Sequence, residues 1–303
     1  MMRGAVIDLG TNTFNLLIFQ GDTFHFEVIY TDKSFVNIGA GGINNNTIST
    51  DALERAFTSI EKFVEICKSH QIDTKSIKAF GTSALRNANN SGYFMEKVAN
   101  KLGVKIMLIN GLQEAEFVFE AVNRVHPFCN KKSCIIDIGG GSTEFIFTNK
   151  NKVDKFHSFK IGLSRLLQFK ELADPLSKED IADITSYLEN QVQDNLDKAN
   201  ISDLIGTGGS FETYYHLIYQ TYDVDFSRSY LFLFDELMKT LDYLIQSSTE
   251  ERSEDSWIID FRVPMINIAA LKTKWILSKI EAERCFFSPA SLKEGLALFQ
   301  FKK

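Results

Sequence analysis

Continuous apolar runs give way to short polar turns at two places along the chain. Residues 4–18 and residues 133–147 each contain an apolar strand that ends in aspartate, then an apolar residue and glycine, a small polar turn and a second apolar strand. Two apolar runs joined by a turn of Gly, Asn, Ser and Thr predict a β-hairpin. The recurrence of this unit predicts two similarly built halves, each of which opens with a hairpin.

The rest of the pattern alternates strands with helices, which predicts an α/β fold. Further strands are predicted over Thr23–Thr31, Phe35–Ile38, Ile77–Phe80 and Ile106–Ile109. Helices are predicted after the start signals Ser49 to Asp51, and over 211–220, 233–247, 264–280 and Leu292–Phe299. Because no low-complexity linker interrupts the chain, we expect two closely joined domains over 1–122 and 123–291, with a cleft between them. The helix within 292–303 is expected to pack back on the first domain.

Composition narrows the range of partners. The chain has 303 residues, with 33 Lys and Arg against 39 Asp and Glu, so its formal net charge is −6. This balance argues against a generally basic nucleic-acid binder. No stretch approaches the ~18 consecutive apolar residues of a membrane span, and the first residues do not resemble a secretion signal. We therefore expect a cytoplasmic protein with neither a nucleic-acid nor a membrane partner.

Four turns rich in small residues follow predicted strands, at 10–13, 81–86, 139–143 and 206–210. Such turns aim several backbone N–H groups in one direction and let a phosphate come close. Each turn taken singly can be a plain tight turn, and Arg86 can be a surface side chain, but together the turns indicate a phosphate-binding cleft. The candidate phosphate-binding residues are Asp8, Gly10, Thr11, Asn12, Thr13, Thr82, Ser83, Arg86, Gly139, Gly140, Gly141, Ser142, Thr143, Gly206, Gly208, Gly209 and Ser210.

Acidic residues stand beside these turns. A carboxylate next to a phosphate is repulsive unless a cation lies between them, so Asp137 and Glu144 are candidate ligands of Mg²⁺, a hard ion that prefers carboxylate oxygens. The alternative is that an aspartate in this position, such as Asp8 or Asp137, caps its own glycine turn.

The segment from Asn110 to Glu116 opens a predicted helix, with Asn110 as the N-cap and Gln113 as its partner. An acidic residue in a first helical turn usually only complements the helix dipole. If the helix start faces the cleft, however, Glu114 becomes a proton acceptor with a raised pKa.

Five motifs together resemble the exopolyphosphatase and guanosine-pentaphosphate phosphatase (Ppx/GppA) family in order and spacing. The resemblance runs almost from end to end and closes with Leu292-Lys293-Glu294-Gly295. It implies the two-domain actin-like, sugar-kinase-like ATPase fold, which is built from ribonuclease H-like domains. The five motifs are Asp8–Thr13, Gly81–Arg86, Gly111–Ala115, Asp137–Glu144 and Gly206–Ser210.

The resemblance also implies an activity, which is the hydrolysis of a terminal phosphoanhydride in inorganic polyphosphate or guanosine pentaphosphate. It implies that Glu114 is the base that activates the attacking water, and that Arg86 binds phosphate. Asp137 and Glu144 would lie at the metal and catalytic centre. A homodimer is expected from the family alone.

Several positions depart from the family pattern. Gln113 and Glu116 stand where the family has glutamate and arginine, and Asn37 stands where it has arginine, which weakens the case for alarmone binding. Arg262 is present, but the aspartate and the later glycine that usually follow it are missing. The chain stops at Lys303 and resembles the short family form, so we expect a weaker grip on very long polyphosphate.

These patterns lead to three hypotheses about the function. A Mg²⁺-dependent exopolyphosphatase is the leading hypothesis, and a guanosine pentaphosphate phosphohydrolase is the second. A protein that binds polyphosphate or alarmone without turnover remains open because of the departures at Gln113, Glu116 and Asn37. A kinase on the same fold is less favoured, because no segment suggests a sugar pocket.

Overall fold

A computed structural model describes residues 2–22, 25–128, 131–193, 196 and 201–302. The strands are β1 (Met2–Leu9), β2 (Thr13–Gly21), β3 (Phe26–Phe35), β4 (Ile77–Gly81), β5 (Ile106–Leu108), β6 (Ser133–Ile138), β7 (Thr143–Asn149), β8 (Lys152–Phe159), β9 (Ile201–Thr207), β10 (Tyr230–Phe232) and β11 (Ala282–Ser288). The helices are α1 (Thr50–Ser69), α2 (Ser83–Asn87), α3 (Ser91–Leu102), α4 (Gly111–Val125), α5 (Leu163–Leu167), α6 (Lys178–Val192), α7 (Gly209–Tyr219), α8 (Phe234–Gln246), α9 (Thr249–Glu254), α10 (Ile266–Lys279) and α11 (Leu292–Phe299).

The chain forms two compact units that are not contiguous in sequence. The first takes residues 1–121, 139–141 and 291–303, and the second takes residues 122–138 and 142–290. The boundary between Ala121 and Val122 therefore lies inside α4.

The first unit is built on a five-stranded sheet in the order β3-β2-β1-β4-β5. β2 runs antiparallel to both β1 and β3, whereas β4 runs parallel to β1 and β5 runs parallel to β4. α1 and α3 pack on this sheet, where Phe63, Phe94 and Val98 are fully buried. The N-cap of α1 is Ser49, as its sequence predicts, and the Ser49 hydroxyl accepts a hydrogen bond from Ala52 N.

The second unit repeats this topology in a six-stranded sheet, in the order β10-β11-β9-β6-β7-β8. β6, β7 and β8 are antiparallel, and β9 and β11 run parallel to β6. α10 packs against α5, α6, α7 and α8, and the core includes Phe211, Tyr214 and Ile276. The expected α/β fold with two similarly built halves, each opening with a hairpin, is therefore confirmed.

The strand predicted at Phe35–Ile38 is wrong. Phe35 is the last residue of β3, and the chain then turns, because Asn37 adopts a left-handed backbone with φ of 47°. Val36 N and Asn37 N both donate to the Asn12 carbonyl instead of to a neighbouring strand. The adjacent strand predicted at Thr23–Thr31 is found as β3 from Phe26 onward, and residues 23 and 24 lie outside the described part of the chain.

The C-terminal helix α11 belongs to the first unit, where it contacts β1 and β2. The Phe299 ring lies 5.0 Å from the Phe117 ring of α4. Gly295 presses against the same helix, since a Cβ placed on it would lie 1.9 Å from the Phe117 carbonyl oxygen. Within the described ranges, none of the helices combines the length and the apolar composition that a membrane span requires.

Candidate active site

Two of the predicted polar turns, at 10–13 and 139–143, come together with the start of α2 within the first unit. The turn predicted at 81–86 is wrong, because Gly81 ends β4 and the helix α2 begins at Ser83. A Cβ placed on Gly140 would lie 2.7 Å from Asn12 Oδ1, and one placed on Gly141 would lie 2.6 Å from Ser83 Oγ and 2.8 Å from Thr11 Oγ1. Approaches this close leave no room for a side chain, so both positions require glycine. Residues 139–141 therefore lie against the turn at 10–13 and against Ser83, which opens α2.

The turn between β1 and β2 is held in place by backbone hydrogen bonds. Gly10 N donates to the Thr13 carbonyl at 3.1 Å, and the Asn12 carbonyl accepts from Val36 N and Asn37 N at 2.9 and 2.8 Å. The side chains of Thr11 and Asn12 are buried. Because the backbone is fixed, the small polar side chains of this turn are preorganised rather than mobile.

Glu114 and Arg86 form an ion pair in the same unit. Arg86 Nη1 donates to Glu114 Oε2 at 3.1 Å and to the Ile109 carbonyl at 2.6 Å. Only 6% of Glu114 is exposed, so its carboxylate does not point into bulk solvent. The start of α4 is capped as its sequence predicts, since Gln113 N donates to Asn110 Oδ1 and Asn110 N donates to Gln113 Oε1.

Asp8 ends β1 beside the first turn, and 7% of it is exposed. Asn15 Nδ2 donates to Asp8 Oδ2 at 2.9 Å, whereas Asp8 Oδ1 has no hydrogen-bond partner among the described residues. Burial raises the pKa of Asp8 to about 6, against the lowering effects of the Asn15 hydrogen bond and the Lys293 charge; Glu294 raises it further. A buried carboxylate with one unpartnered oxygen is poised to contact a ligand.

Asp8→Asn is expected to stabilise the protein above pH 6. The folded protein binds the Asp8 proton more tightly than the unfolded chain does, so ionised Asp8 lowers the free energy of unfolding. This destabilisation is absent at low pH and grows as the pH rises from 3.8 to about 6. A difference of two pKa units corresponds to roughly 3 kcal/mol. Thermal melts at pH 8 should show a higher Tm for the variant, and this gain should shrink toward pH 4.

The exposed Asp154→Asn on β8 is the control for this experiment, and it should melt like the wild type at both pH values. A lower Tm for Asp8→Asn at both pH values would show that the Asp8 carboxylate stabilises the fold instead.

In the second unit, Asp137 and Glu144 are direct partners across the β6–β7 hairpin. Only 1% of Glu144 is exposed, and its Oε1 accepts from Ser158 Oγ at 2.7 Å. Gly208, with φ of 82°, brings the turn after β9 against this pair, since a Cβ there would lie 2.9 Å from Asp137 Oδ1. Side chains on directly opposed antiparallel positions share one face of a sheet, so the two carboxylates form a pair.

This donor set fits Mg²⁺. The ion is commonly held by one or two carboxylates, with water and substrate phosphate completing its shell. Within the described ranges there is no cluster of three or more His, Cys, Asp or Glu side chains that forms a closed metal site. A two-carboxylate pair is therefore the kind of metal site that these residues offer.

The remaining predicted residues of the second unit lie around the same hairpin and the turn after β9. Ser142 and Thr143 are buried at the start of β7. Gly206 lies inside β9 rather than in a turn, and a Cβ there would strike the Phe211 ring at 2.1 Å. Gly209 and Ser210 begin α7, and Ser210 Oγ is buried without a hydrogen-bond partner among the described residues.

Two residues, one in each unit, were not singled out from the sequence. Asn15 occupies the position in the first hairpin that Glu144 occupies in the second, because each pairs with the aspartate of its own hairpin. Lys272 of α10 is fully buried, and its Nζ donates to Thr143 Oγ1. The internal repeat indicates Asn15, because aligning the two hairpins places it opposite the aspartate, as Glu144 is. No neighbouring sequence feature indicates Lys272.

Arg262, the arginine that the family pattern also has, lies directly against the turn after β9. A Cβ on Gly209 would lie 1.5 Å from Arg262 Nη2, so the guanidinium covers the start of α7. The arginine is itself buried. It therefore adds a positive charge beside the predicted phosphate-binding residues Gly209 and Ser210.

Solved structures of similar proteins share this fold. The crystal structure of an exopolyphosphatase from Cytophaga hutchinsonii is 29% identical, with a TM-score of 0.93, over 99% of this chain and 98% of that chain. A Ppx/GppA family member from Aquifex aeolicus is 24% identical, with a TM-score of 0.81, over 99% of this chain and 97% of that one. These likenesses confirm the predicted actin-like α/β fold.

Curated relatives match over a shorter part of their own length. A bifunctional 3-dehydroquinate synthase/phosphatase from Fusobacterium nucleatum is 33% identical over 221 residues, which are 69% of this chain and 33% of the relative. A guanosine-5′-triphosphate,3′-diphosphate pyrophosphatase from Aliivibrio fischeri is 32% identical over 171 residues, which are 56% of this chain and 34% of the relative. The chain thus spans about a third of the length of these relatives.

A family model described as the Ppx/GppA phosphatase family matches residues 17–303. The match extends over most of both units and includes Arg86, Glu114, Asp137 and Glu144. This chain therefore belongs to the Ppx/GppA phosphatase family.

Proposed function

We propose that the chain is an exopolyphosphatase, a hydrolase that removes the terminal phosphate from inorganic polyphosphate. One observation carries the proposal: the buried carboxylate of Glu114 is joined to the Arg86 guanidinium in the unit that also brings two Gly-, Ser- and Thr-rich turns against the start of α2. Guanidinium groups and converging backbone N–H groups both bind phosphate. The similarity to the Cytophaga hutchinsonii exopolyphosphatase over both full chains supports polyphosphate as the substrate.

In this proposal the first unit holds the terminal phosphate and activates water. The turn at 10–13, Thr82, Ser83 and Arg86 donate hydrogen bonds to phosphate oxygens. Glu114 accepts a proton from the water that attacks the terminal phosphorus, while the bond from that phosphorus to the bridging oxygen breaks. The products are inorganic phosphate and a chain that is one phosphate shorter. Positioning and charge neutralisation supply most of the acceleration in such reactions.

The second unit carries the proposed metal ligands Asp137 and Glu144. Bound Mg²⁺ would neutralise charge on phosphate oxygens. Gly208, Gly209 and Ser210, with Ser142 and Thr143 on the hairpin, are its proposed phosphate contacts. Phosphate release should therefore be lost in EDTA and restored by added Mg²⁺.

The departures from the family pattern bear on the alternatives. Gln113 and Glu116 are exposed on α4, and Gln113 is used to cap the helix start. These two changes therefore leave the buried Glu114–Arg86 pair intact, which favours a catalyst over a protein that only binds polyphosphate. Guanosine pentaphosphate remains the second candidate substrate because of the Aliivibrio fischeri relative.

Phosphate release from a panel of substrates tests the proposal. With Mg²⁺ present, polyphosphate is expected to be hydrolysed faster than guanosine pentaphosphate, ATP or pyrophosphate. Faster release from guanosine pentaphosphate would select the second candidate. Tight polyphosphate binding without phosphate release would show that the chain is a binding protein.

A further inference from the structure

Ser158 lies beside the proposed metal pair, on the edge strand of the second sheet. It is directly opposite Glu144 in the pairing of β7 with β8, and its Oγ donates to Glu144 Oε1 at 2.7 Å. Ser158 is exposed, whereas only 1% of Glu144 is exposed. A distance this short is typical of a hydroxyl that donates to an ionised carboxylate. Ser158 therefore fixes the direction of a buried carboxylate from the edge of the sheet.

The strand register places three polar side chains in one row across the second sheet. Asp137 of β6 is opposite Glu144 of β7, and Glu144 is opposite Ser158 of β8. Directly opposed residues of antiparallel strands share one face of the sheet, where like charges repel each other. The row therefore holds two carboxylates side by side with a neutral donor at its end, and a cation that binds both carboxylates relieves their repulsion.

The corresponding row of the first sheet has a different composition. Asp8 of β1 is opposite Asn15 of β2, and Asn15 is opposite Lys33 of β3. This row contains one carboxylate, an amide and a lysine, whereas the row of the second sheet has a second carboxylate in place of the amide and a hydroxyl in place of the lysine. A hydroxyl can hold Glu144 without neutralising the negative charge that attracts a cation.

We propose that Ser158 is a positioning residue for the metal site, and that its hydroxyl holds the Glu144 carboxylate in the orientation in which it binds a divalent cation together with Asp137. The inference rests on the metal site of the proposed function. A glutamate side chain is long and flexible, so ordering it when the cation binds lowers the affinity. The hydrogen bond from Ser158 orders Glu144 in advance, which raises the affinity without adding a ligand.

The test measures Mn²⁺ binding by electron paramagnetic resonance in the absence of substrate, because Mn²⁺ takes the same carboxylate and water ligands as Mg²⁺. Ser158→Ala is expected to bind Mn²⁺ about 10–100-fold more weakly than the wild type, which is the usual effect of removing a partner that orients a metal ligand. Ser158→Thr keeps the hydroxyl on a residue that suits a strand, so it should bind Mn²⁺ nearly as tightly as the wild type.

A matched control and the melting temperature separate positioning from stability. Ser34 lies on β3, the edge strand of the other sheet, opposite Phe14, so Ser34→Ala should bind Mn²⁺ like the wild type. A hydrogen bond that only stabilised the fold would lower the Tm of Ser158→Ala equally with and without Mn²⁺. If Ser158 positions Glu144, the same concentration of Mn²⁺ should raise the Tm of Ser158→Ala less than that of the wild type.

Wild-type Mn²⁺ affinity in Ser158→Ala, an equal loss of affinity in Ser158→Thr or Ser34→Ala, absence of a cooperative melt in Ser158→Ala, or no Mn²⁺ binding by the wild type would each overturn the inference. None of these measurements uses phosphate release. A wild type that releases no phosphate from polyphosphate, but loses Mn²⁺ affinity only in Ser158→Ala, would therefore contradict the proposed function and leave the role of Ser158 standing.

Discussion

Glu114→Gln is expected to lower the turnover number for phosphate release by about 10²–10⁴-fold, the usual contribution of a general base. The amide oxygen can still accept the hydrogen bond from Arg86 Nη1, so the local geometry and the fold should persist. The amide cannot take the proton of the attacking water. Initial rates at saturating polyphosphate measure the change, and Tm and substrate affinity should stay close to the wild type.

Glu116→Gln is the matched control, because Glu116 lies two residues further along α4 and is exposed. This variant should retain nearly full turnover. Wild-type turnover in Glu114→Gln would show that another group activates the water, and the proposed role of Glu114 would be wrong.

Gly295→Ala is expected to produce the largest loss of stability. The new Cβ would lie 1.9 Å from the Phe117 carbonyl oxygen, which is backbone and cannot rotate away. α11 must then move away from α4. Overpacking of this kind costs about 1–3 kcal/mol, and each kcal/mol lowers Tm by about 2 °C in a chain of this length, because the shift shrinks as the chain grows. Because Glu114 lies one turn before Phe117 on α4, phosphate release should fall as well.

Gly92→Ala provides the comparison. Gly92 also lies in a helix, α3, but a Cβ there meets nothing within 4 Å. Alanine is the better helix former, so this variant should melt at or slightly above the wild-type temperature. A wild-type Tm for Gly295→Ala would mean that α11 is not held against α4.

The sequence predicted the features that are encoded locally. Both hairpins were predicted because an apolar run, an aspartate, a glycine and a small polar turn follow one another within 15 residues. The start of α4 was predicted because Asn110 and Gln113 have the spacing of a capping box, and the two reciprocal hydrogen bonds are present. Turn and cap chemistry involve residues a few positions apart, so they can be read from one stretch of chain.

Tertiary contacts were not predictable in this way. Lys272 stands in a helix that periodicity predicts, but periodicity does not say that its amine reaches Thr143, 129 positions away in the chain. The alternation of apolar Val36 and Ile38 with polar Asn37 predicts a strand after Phe35. Their backbone is instead held by Asn12, a residue from another turn. The roles of the site residues, including Glu114, Asp137 and Glu144, remain predictions for the experiments above.

The division of the chain into units has a practical consequence for the design of truncated proteins. The polypeptide passes from one unit to the other at 121/122, 138/139, 141/142 and 290/291. A cloned fragment that ends at residue 121 lacks the glycines that lie against Thr11, Asn12 and Ser83, and it also lacks the helix that presses on Phe117. The first unit, whose pieces lie at both ends of the chain and at 139–141, therefore cannot be expressed intact as one continuous segment shorter than the chain, and a protease nick at one crossing would leave three other covalent links.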